Sequence, residues 1–377
     1  MASIDVLLRA ARERGGSDLH LTAGLPPILR IDGELLPLDG PALPAEETHA
    51  LLTEILPPEA VEELEKNGAV DLSYATEGSG RFRLNVFREQ KGLAALCRLI
   101  PERVPALPDL GLPRVVSAFA GLHSGLVLIT GGPGTGKTTT LAALIHEINT
   151  TRNVTVITLE DPVEFRHECQ KALVVQREVG AQVHSFHDGL RSALRQDPDV
   201  ILIGEMRDAE TIAAAIEASE TGHLVLGTLH TRGAAQTIHR IVDAFPSEAQ
   251  AQIRHTLADN LKAVVSQELV RAADGRGRRV VAEIMIMNPA IAQLVREGKT
   301  HQIPTAIATG RRLGMQLLDQ TLLSLVQSGD VDPNDAFLKA QDKKEFMLYV
   351  TQPDLLAMVD PAAAGGPAGA SGGAQAA

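Results

Sequence analysis

The run Gly131-Gly132-Pro133-Gly134-Thr135-Gly136-Lys137-Thr138 sets a lysine and a hydroxyl directly behind a glycine-rich turn, in the pattern GxxxxGK[ST]. Glycines let successive backbone N–H groups turn inward around a row of phosphates. The first turn of a following helix adds its positive end, and a lysine at this spacing reaches the outer phosphate oxygens. Thr138 supplies the hydroxyl that such a loop offers to Mg2+, and Thr139 carries the binding segment into the helix. The expected ligands are ATP and Mg2+. The context fits: an apolar stretch at 125–130 precedes the turn, and Leu141, Leu144, Ile145 and Ile148 recur on one helical face after it.

Hydrolysis needs more than binding, because carboxylates must order water and metal. Two apolar strands end in such groups: residues 154–159 run into Glu160 and Asp161, and residues 200–203 run into Gly204 and Glu205. Gly204 stands where many P-loop proteins carry an aspartate, so the metal-side or water-side role falls to Glu205. His230 follows the apolar strand 224–229, where a polar side chain can sense the γ-phosphate. His223 precedes that strand on its opposite face, so the two histidines make no metal site. His184 and His187 have no supporting ligand cluster and read as loop residues, and Asp208 reads as the N-cap of a helix starting at Ala209. Nearer the N-terminus, Arg81 and Arg83 alternate with Phe82, Leu84 and Val86, so two guanidinium forks share one strand face. That face is either an anion receiver or a solvated sheet edge. P-loop sites commonly take an arginine from a neighbour, which favours the first reading.

The elements that must position these groups divide in two, as the length of 377 residues suggests. Residues 1–100 read as an α+β unit. Its first helix carries Ile4, Leu7, Leu8 and Ala11 and stops at Gly15-Gly16. Short strands follow at 18–22 and 28–32, the second closed by an Asp32-Gly33 turn; a helix is predicted across Pro44 to Lys66 and strands at 81–87 and 92–100. Residues 101–113 hold four prolines and read as a linker. Over 114–360, strands alternate with helices, which predicts an α/β fold with a mostly parallel sheet and its site at the carboxyl ends of the strands. Helices dominate from 288 to 349, and the Ala/Gly-rich tail at 361–377 is expected to be disordered.

Composition narrows the function further. The net charge is -12, aromatic residues make up 3% and there is no Trp, so neither a basic surface nor a base-stacking platform supports nucleic acid as a partner. Two distant cysteines give no disulfide framework or metal pair, and no apolar run reaches membrane-spanning length. A cytoplasmic location is expected.

Taken together, these motifs resemble one family, the secretion and type IV pilus ATPases, and within it the retraction branch. The resemblance is carried by SDLHLTAGLPPILRIDGEL at 17–35, GRFRLNVFRE at 80–89, GGPGTGKTTT at 131–140, ITLEDPVEF at 157–165, LRQDPDVILIGEMRD at 194–208, TGHLVLGTLHT at 221–231 and AIAQLVREGK at 290–299. It implies a PAS-like N-terminal domain, a RecA-like ATPase domain and a homohexameric ring with nucleotide between subunits. It also implies roles for Glu160 in water activation, Glu205 as the Walker B acid, His230 as the His-box residue, and Arg81 and Arg83 as arginines turned toward a neighbour's nucleotide. Arg195 and Arg240 are further charge stabilisers on the same resemblance. The implied function is a hexameric ATP-driven motor of pilus retraction, at the cytoplasmic side of the inner membrane, acting on a membrane platform protein, with a paralogous retraction ATPase as a further candidate partner. Where the branch signature has Arg and Asn, this chain has Ala292 and Gln293, which leaves an accessory role open.

Overall fold

The computed structural model describes residues 4–31, 33–76, 80–100 and 103–357. Asp32 of the expected turn, Pro101 and Glu102 of the expected linker, and the tail at 361–377 lie outside them. Contacts divide the chain into two compact units. One comprises the chain up to Val104 together with Glu160–Glu168 and Gln176–Val183; the other takes the rest.

The first unit is a six-stranded antiparallel sheet of β1 (Asp18–Leu21), β2 (Ile28–Ile31), β3 (Glu34–Pro37), β4 (Ala69–Thr76), β5 (Gly80–Glu89) and β6 (Gly92–Ile100), in the order β3-β2-β1-β6-β5-β4. Period-two alternation builds its core: Phe82, Leu84 and Val86 are wholly buried and pack with Leu19, Leu29 and Cys97 against helices Ile4–Glu13, Ala45–Thr53 and Pro58–Asn67. The helix expected across Pro44 to Lys66 is thus two helices. Pro57 and Pro58 break it, since a proline ring cannot continue a helix but suits its first turn. On the other face, Arg83, Arg98, Asp18 and Arg30 align across four strands in register. Asp18 is buried and accepts a hydrogen bond from Arg98 Nε at 2.7 Å. β5 pairs on both sides, so the arginine face of that strand is not a sheet edge.

The second unit holds β7 (Gly125–Thr130), β8 (Thr155–Glu160), β9 (Leu173–Glu178), β10 (Val200–Ile203), β11 (Leu224–Leu229), β12 (Leu261–Arg271) and β13 (Arg278–Ile286), in the order β13-β12-β7-β11-β10-β8-β9. β12, β7, β11, β10 and β8 run parallel and β13 is antiparallel to β12. Continuous apolar strands suit a sheet covered on both faces. Val127, Ile129, Leu202 and Leu226 face helix Lys137–Thr151 through Leu141, Leu144, Ile145 and Ile148. Leu126, Leu128, Ile201 and Val225 face the opposite layer, which includes helices Ala209–Glu220, Ala234–Asp243 and Ser247–Asn260. Further along, Leu318, Leu322 and Val326 of helix Leu318–Ser328 pack on Val270 and Val281. Within the proline-rich stretch, Leu107–Leu110 forms a short 3-10 turn whose Leu107 is buried in the core of this unit.

Two local expectations meet different outcomes. His187 lies in helix Phe186–Ala193 rather than in a loop, because Ser185 caps that helix by accepting from the Asp188 N–H. Asp208 is the N-cap of Ala209–Glu220: its carboxylate accepts from the Thr211 N–H at 2.7 Å and from the Thr211 hydroxyl at 3.0 Å. Asp208→Ala is therefore expected to lower the unfolding free energy by about 1 kcal/mol, as denaturant titration would show.

Candidate active site

The phosphate-type loop follows β7 directly, and its backbone explains its composition. Gly131, Gly134 and Gly136 have φ of 142°, 72° and 86°, a region that side chains rarely enter. A Cβ on Gly131 would stand 2.4 Å from the Gln267 carbonyl oxygen and 2.6 Å from Thr135 Oγ1, whereas Cβ atoms on Gly134 and Gly136 would meet nothing within 4 Å. Gly131 thus allows close packing against β12, whereas Gly134 and Gly136 are called for by their backbone angles and not by crowding. Thr135 Oγ1 donates to the Gly132 carbonyl at 2.9 Å and braces the turn. The Lys137 side chain is only 8% exposed. Its ammonium donates to the Gly131 and Gly132 carbonyls at 3.0 and 2.8 Å, so the charge is held under the loop. Thr138 and Thr139 fall in the first turn of helix Lys137–Thr151, whose start points its unpaired N–H groups at the loop. From β12, Gln267 Nε2 donates to Thr140 Oγ1 at 2.9 Å, fixing that turn from behind.

The ends of β10 and β11 bring the next two candidates to Lys137. His230 Nδ1 is 3.4 Å from Lys137 Nζ, and its Nε2 is 3.3 Å from Glu205 Oε1. Glu205 Oε2 in turn accepts from Arg207 Nη2 at 2.7 Å. The Met206 N–H donates to the Thr228 carbonyl at 3.1 Å, which ties the exit of β10 to β11 and holds Glu205 beside His230. Lysine, histidine, glutamate and arginine therefore form one chain of polar contacts running from the loop outward. Arg207 was not singled out in the sequence; its place two residues after a strand-end acid is the one signal it left.

In the first unit, β5 and the segment after Glu160 meet. Arg81 Nη2 donates to the Val163 carbonyl at 3.1 Å and Nη1 to that of Glu164 at 3.5 Å. Burial lowers the Arg81 pKa, helped by Arg166 and opposed by Glu178 and Glu160. Glu160 is buried and accepts from Gln176 Nε2 at 3.1 Å. Arg83 stands 3.6 Å from Asp71. The geometry thus joins Arg81 to the acidic segment and leaves Arg83 facing another acid.

An interior parallel strand leading into this loop, with lysine, histidine and glutamate converging at its mouth, defines a P-loop nucleotide-binding α/β protein. The chain belongs to the family described as type II/IV secretion system protein, whose model matches residues 113–340. It is 46% identical over 343 residues to the type IV pilus retractation ATPase PilT of Pseudomonas aeruginosa, covering 91% of this chain and 99% of that one. To the type IV pilus ATPase PilU of the same organism it is 37% identical over 344 residues, covering 91% and 90%. The crystal structure of the pilus retraction motor PilT with bound ADP superposes with a TM-score of 0.83 at 44% identity, covering 92% of this chain and 99% of that one.

Two outcomes test the site. Burial pushes the Glu205 carboxyl upward, but the Arg207 guanidinium and the His230 ring outweigh it and hold the pKa below the ordinary 4.5. A depressed carboxyl stabilises the fold above its unfolded value and loses that contribution as pH falls through the folded one. The stability gap between the native chain and Glu205→Gln should therefore shrink on acidification below 4.5; a gap that widens in acid denaturant titrations would contradict the Arg207 and His230 contacts. Gly131→Ala forces both a close contact and a strained φ, so it should destabilise the loop by about 1–3 kcal/mol or more and remove binding of a fluorescent ATP analogue.

Proposed function

We propose that this chain is the ATP-hydrolysing motor of type IV pilus retraction, working as a homohexameric ring with each nucleotide completed by two subunits. The observation that carries this is the Lys137–His230–Glu205 cluster at the P-loop of a chain that matches a pilus retraction ATPase over nearly its full length. In this reading residues 1–100 are the PAS-like domain, 101–113 the linker and 114–360 the RecA-like ATPase domain. Among the described residues no helix is long and apolar enough to cross a membrane. In this reading the ring acts from the cytoplasmic side on an inner-membrane platform protein.

The residues present suit ATP with Mg2+. Lys137 exchanges its two carbonyl acceptors for outer phosphate oxygens, a move of like for like that leaves the ammonium paired throughout. Thr138 and Glu205 would hold Mg2+, which neutralises phosphate charge; a divalent ion of this kind takes few protein ligands because phosphates and water supply the others. His230, within reach of both Lys137 and Glu205, reports the γ-phosphate to the loop that follows β11. Glu160 orients the attacking water. Arg81 and Arg83 meet the developing charge on a neighbour's nucleotide, where a guanidinium is worth most in the transition state. The paralogue reading keeps one observation in its favour, Ala292 and Gln293 at signature positions; the higher identity to the retraction ATPase than to PilU weighs against it.

Lys137→Ala and Glu160→Gln should each lower ATP turnover by about a hundredfold or more. Arg81→Ala should be rescued in part by mixing with Lys137→Ala subunits that keep Arg81. Full turnover by the chain at dilutions where it is monomeric would sink the shared site. In the native host, complementing a deletion with Lys137→Ala should abolish twitching while surface pili persist; loss of the pili would point to assembly instead.

A further inference from the structure

The loop that carries His230 ends at Gly233, and the helix it enters, Ala234–Asp243, has no cap of its own. Gly233 occupies the N-cap position with φ 91° and has no side chain to accept from the first turn. The caps arrive from elsewhere. Ser266 on β12 and Glu283 on β13 are direct cross-strand partners. Ser266 Oγ accepts the Gly233 N–H at 2.7 Å, and Glu283 Oε1 accepts the Ala234 N–H at 2.7 Å.

Glu283 does this from the interior. The residue is 5% exposed, between Ala282 and Ile284 in the apolar part of its strand. The backbone N–H of Leu318, at the start of helix Leu318–Ser328, also favours the charged carboxylate. One buried acid therefore caps the helix at Ala234, whose positive end faces it. Burial pushes its pKa upward, with Asp319 adding to the rise. A buried polar group is tolerated when it is bonded, and here the bonds tie β12 and β13 to the end of the His230 loop.

A second set of contacts holds the loop from the other direction. Thr237 Oγ1 lies 2.7 Å from Thr231 Oγ1, donates to the Gly233 carbonyl at 2.8 Å and reaches Thr130 Oγ1 at 3.5 Å. Thr130 is the last residue of β7, immediately before Gly131. The loop is thus pinned at Gly233–Ala234 by Glu283 and Ser266, and at Thr231 by the hydroxyls leading back to the P-loop. His230 stands just ahead of both anchors.

We infer that Glu283 is a positioning residue for ATP turnover: by capping the helix at Ala234, with Ser266 beside it on Gly233, it sets where His230 stands between Lys137 and Glu205. The inference rests on the proposed reading of His230 as part of the ATP site. Neither Glu283 nor Ser266 touches the P-loop's concave side, so their loss should spare nucleotide binding by that loop and slow the step that needs His230 in place. A displaced catalytic group lowers kcat more than it alters ground-state affinity.

The test compares full-length native chain with Glu283→Leu, Glu283→Gln, Ser266→Ala and His230→Ala, measuring kcat and KM for ATP and the affinity for a fluorescent ATP analogue. Glu283→Leu should lower kcat about tenfold or more, with KM and analogue affinity within about threefold of native. Ser266→Ala should show a smaller fall of the same kind, and Glu283→Gln, which keeps an acceptor oxygen, should recover part of the loss. Native kcat in Ser266→Ala overturns the inference, whether or not Glu283→Leu folds. So does a loss in Glu283→Leu that appears equally in KM and analogue affinity, as general loosening of the fold would produce. If His230→Ala itself turns over ATP at the native rate, the reading of the site fails; if it is impaired while Ser266→Ala and Glu283→Leu are not, the inference alone fails.

Discussion

A buried ammonium governs the architecture around it. Lys137 can be only 8% exposed because two carbonyls of its own loop accept from it. Those carbonyls face inward only because Gly131, Gly134 and Gly136 take backbone angles closed to other residues. The loop holds that shape because β7 is apolar from Leu126 to Ile129, paired on both sides, and followed by a helix whose inner face is Leu141, Leu144, Ile145 and Ile148. Relaxing any of these would leave a charge in the interior without acceptors, a situation proteins avoid at several kcal/mol. The rigidity of the sheet is thus the condition for placing a cation under a loop that must also receive anions.

The contacts of Glu205 show how a site adapts to a missing aspartate. With Gly204 at the strand end, the acid is one residue further on, beyond the last ladder position. Its backbone is tied to β11 on either side, and its carboxylate is steadied by Arg207 and His230. Arg207 is largely exposed, so the pair is softened by solvent, whereas the contact with His230 lies nearer the loop. The acid therefore gains orientation from its neighbours and keeps its charge.

Much of this was legible before any coordinates, for a local reason. The P-loop, the strand ends at Glu160 and Glu205, His230 and the N-cap at Asp208 are each defined by a few consecutive residues whose chemistry and spacing are self-contained. β12 and β13 were missed because Ser266, Gln267, Glu268 and Glu283 interrupt apolar strands with polar groups, and those groups are the ones that satisfy loops elsewhere. A single acid inside Val280-Val281-Ala282-Glu283-Ile284 was a signal, but its partners lie dozens of residues away and no spacing rule reaches them. Pro57-Pro58 was a local signal that should have divided one helix into two. Arg81 shows the limit from another side: alternation placed it on a face, while its bonds to the Val163 and Glu164 carbonyls depend on a segment far along the chain.

The bracing of Lys137 by its own loop has a kinetic meaning. A cation that relied on ligand oxygens alone would be stranded each time the ligand departed, and the desolvation penalty would slow every exit. Here the side chain has a resting pair of acceptors within its own loop. Emptying the loop then trades one satisfied arrangement for another. A machine that must discharge spent nucleotide many times in succession is better served by such indifference than by the tightest grip the same residues might have formed.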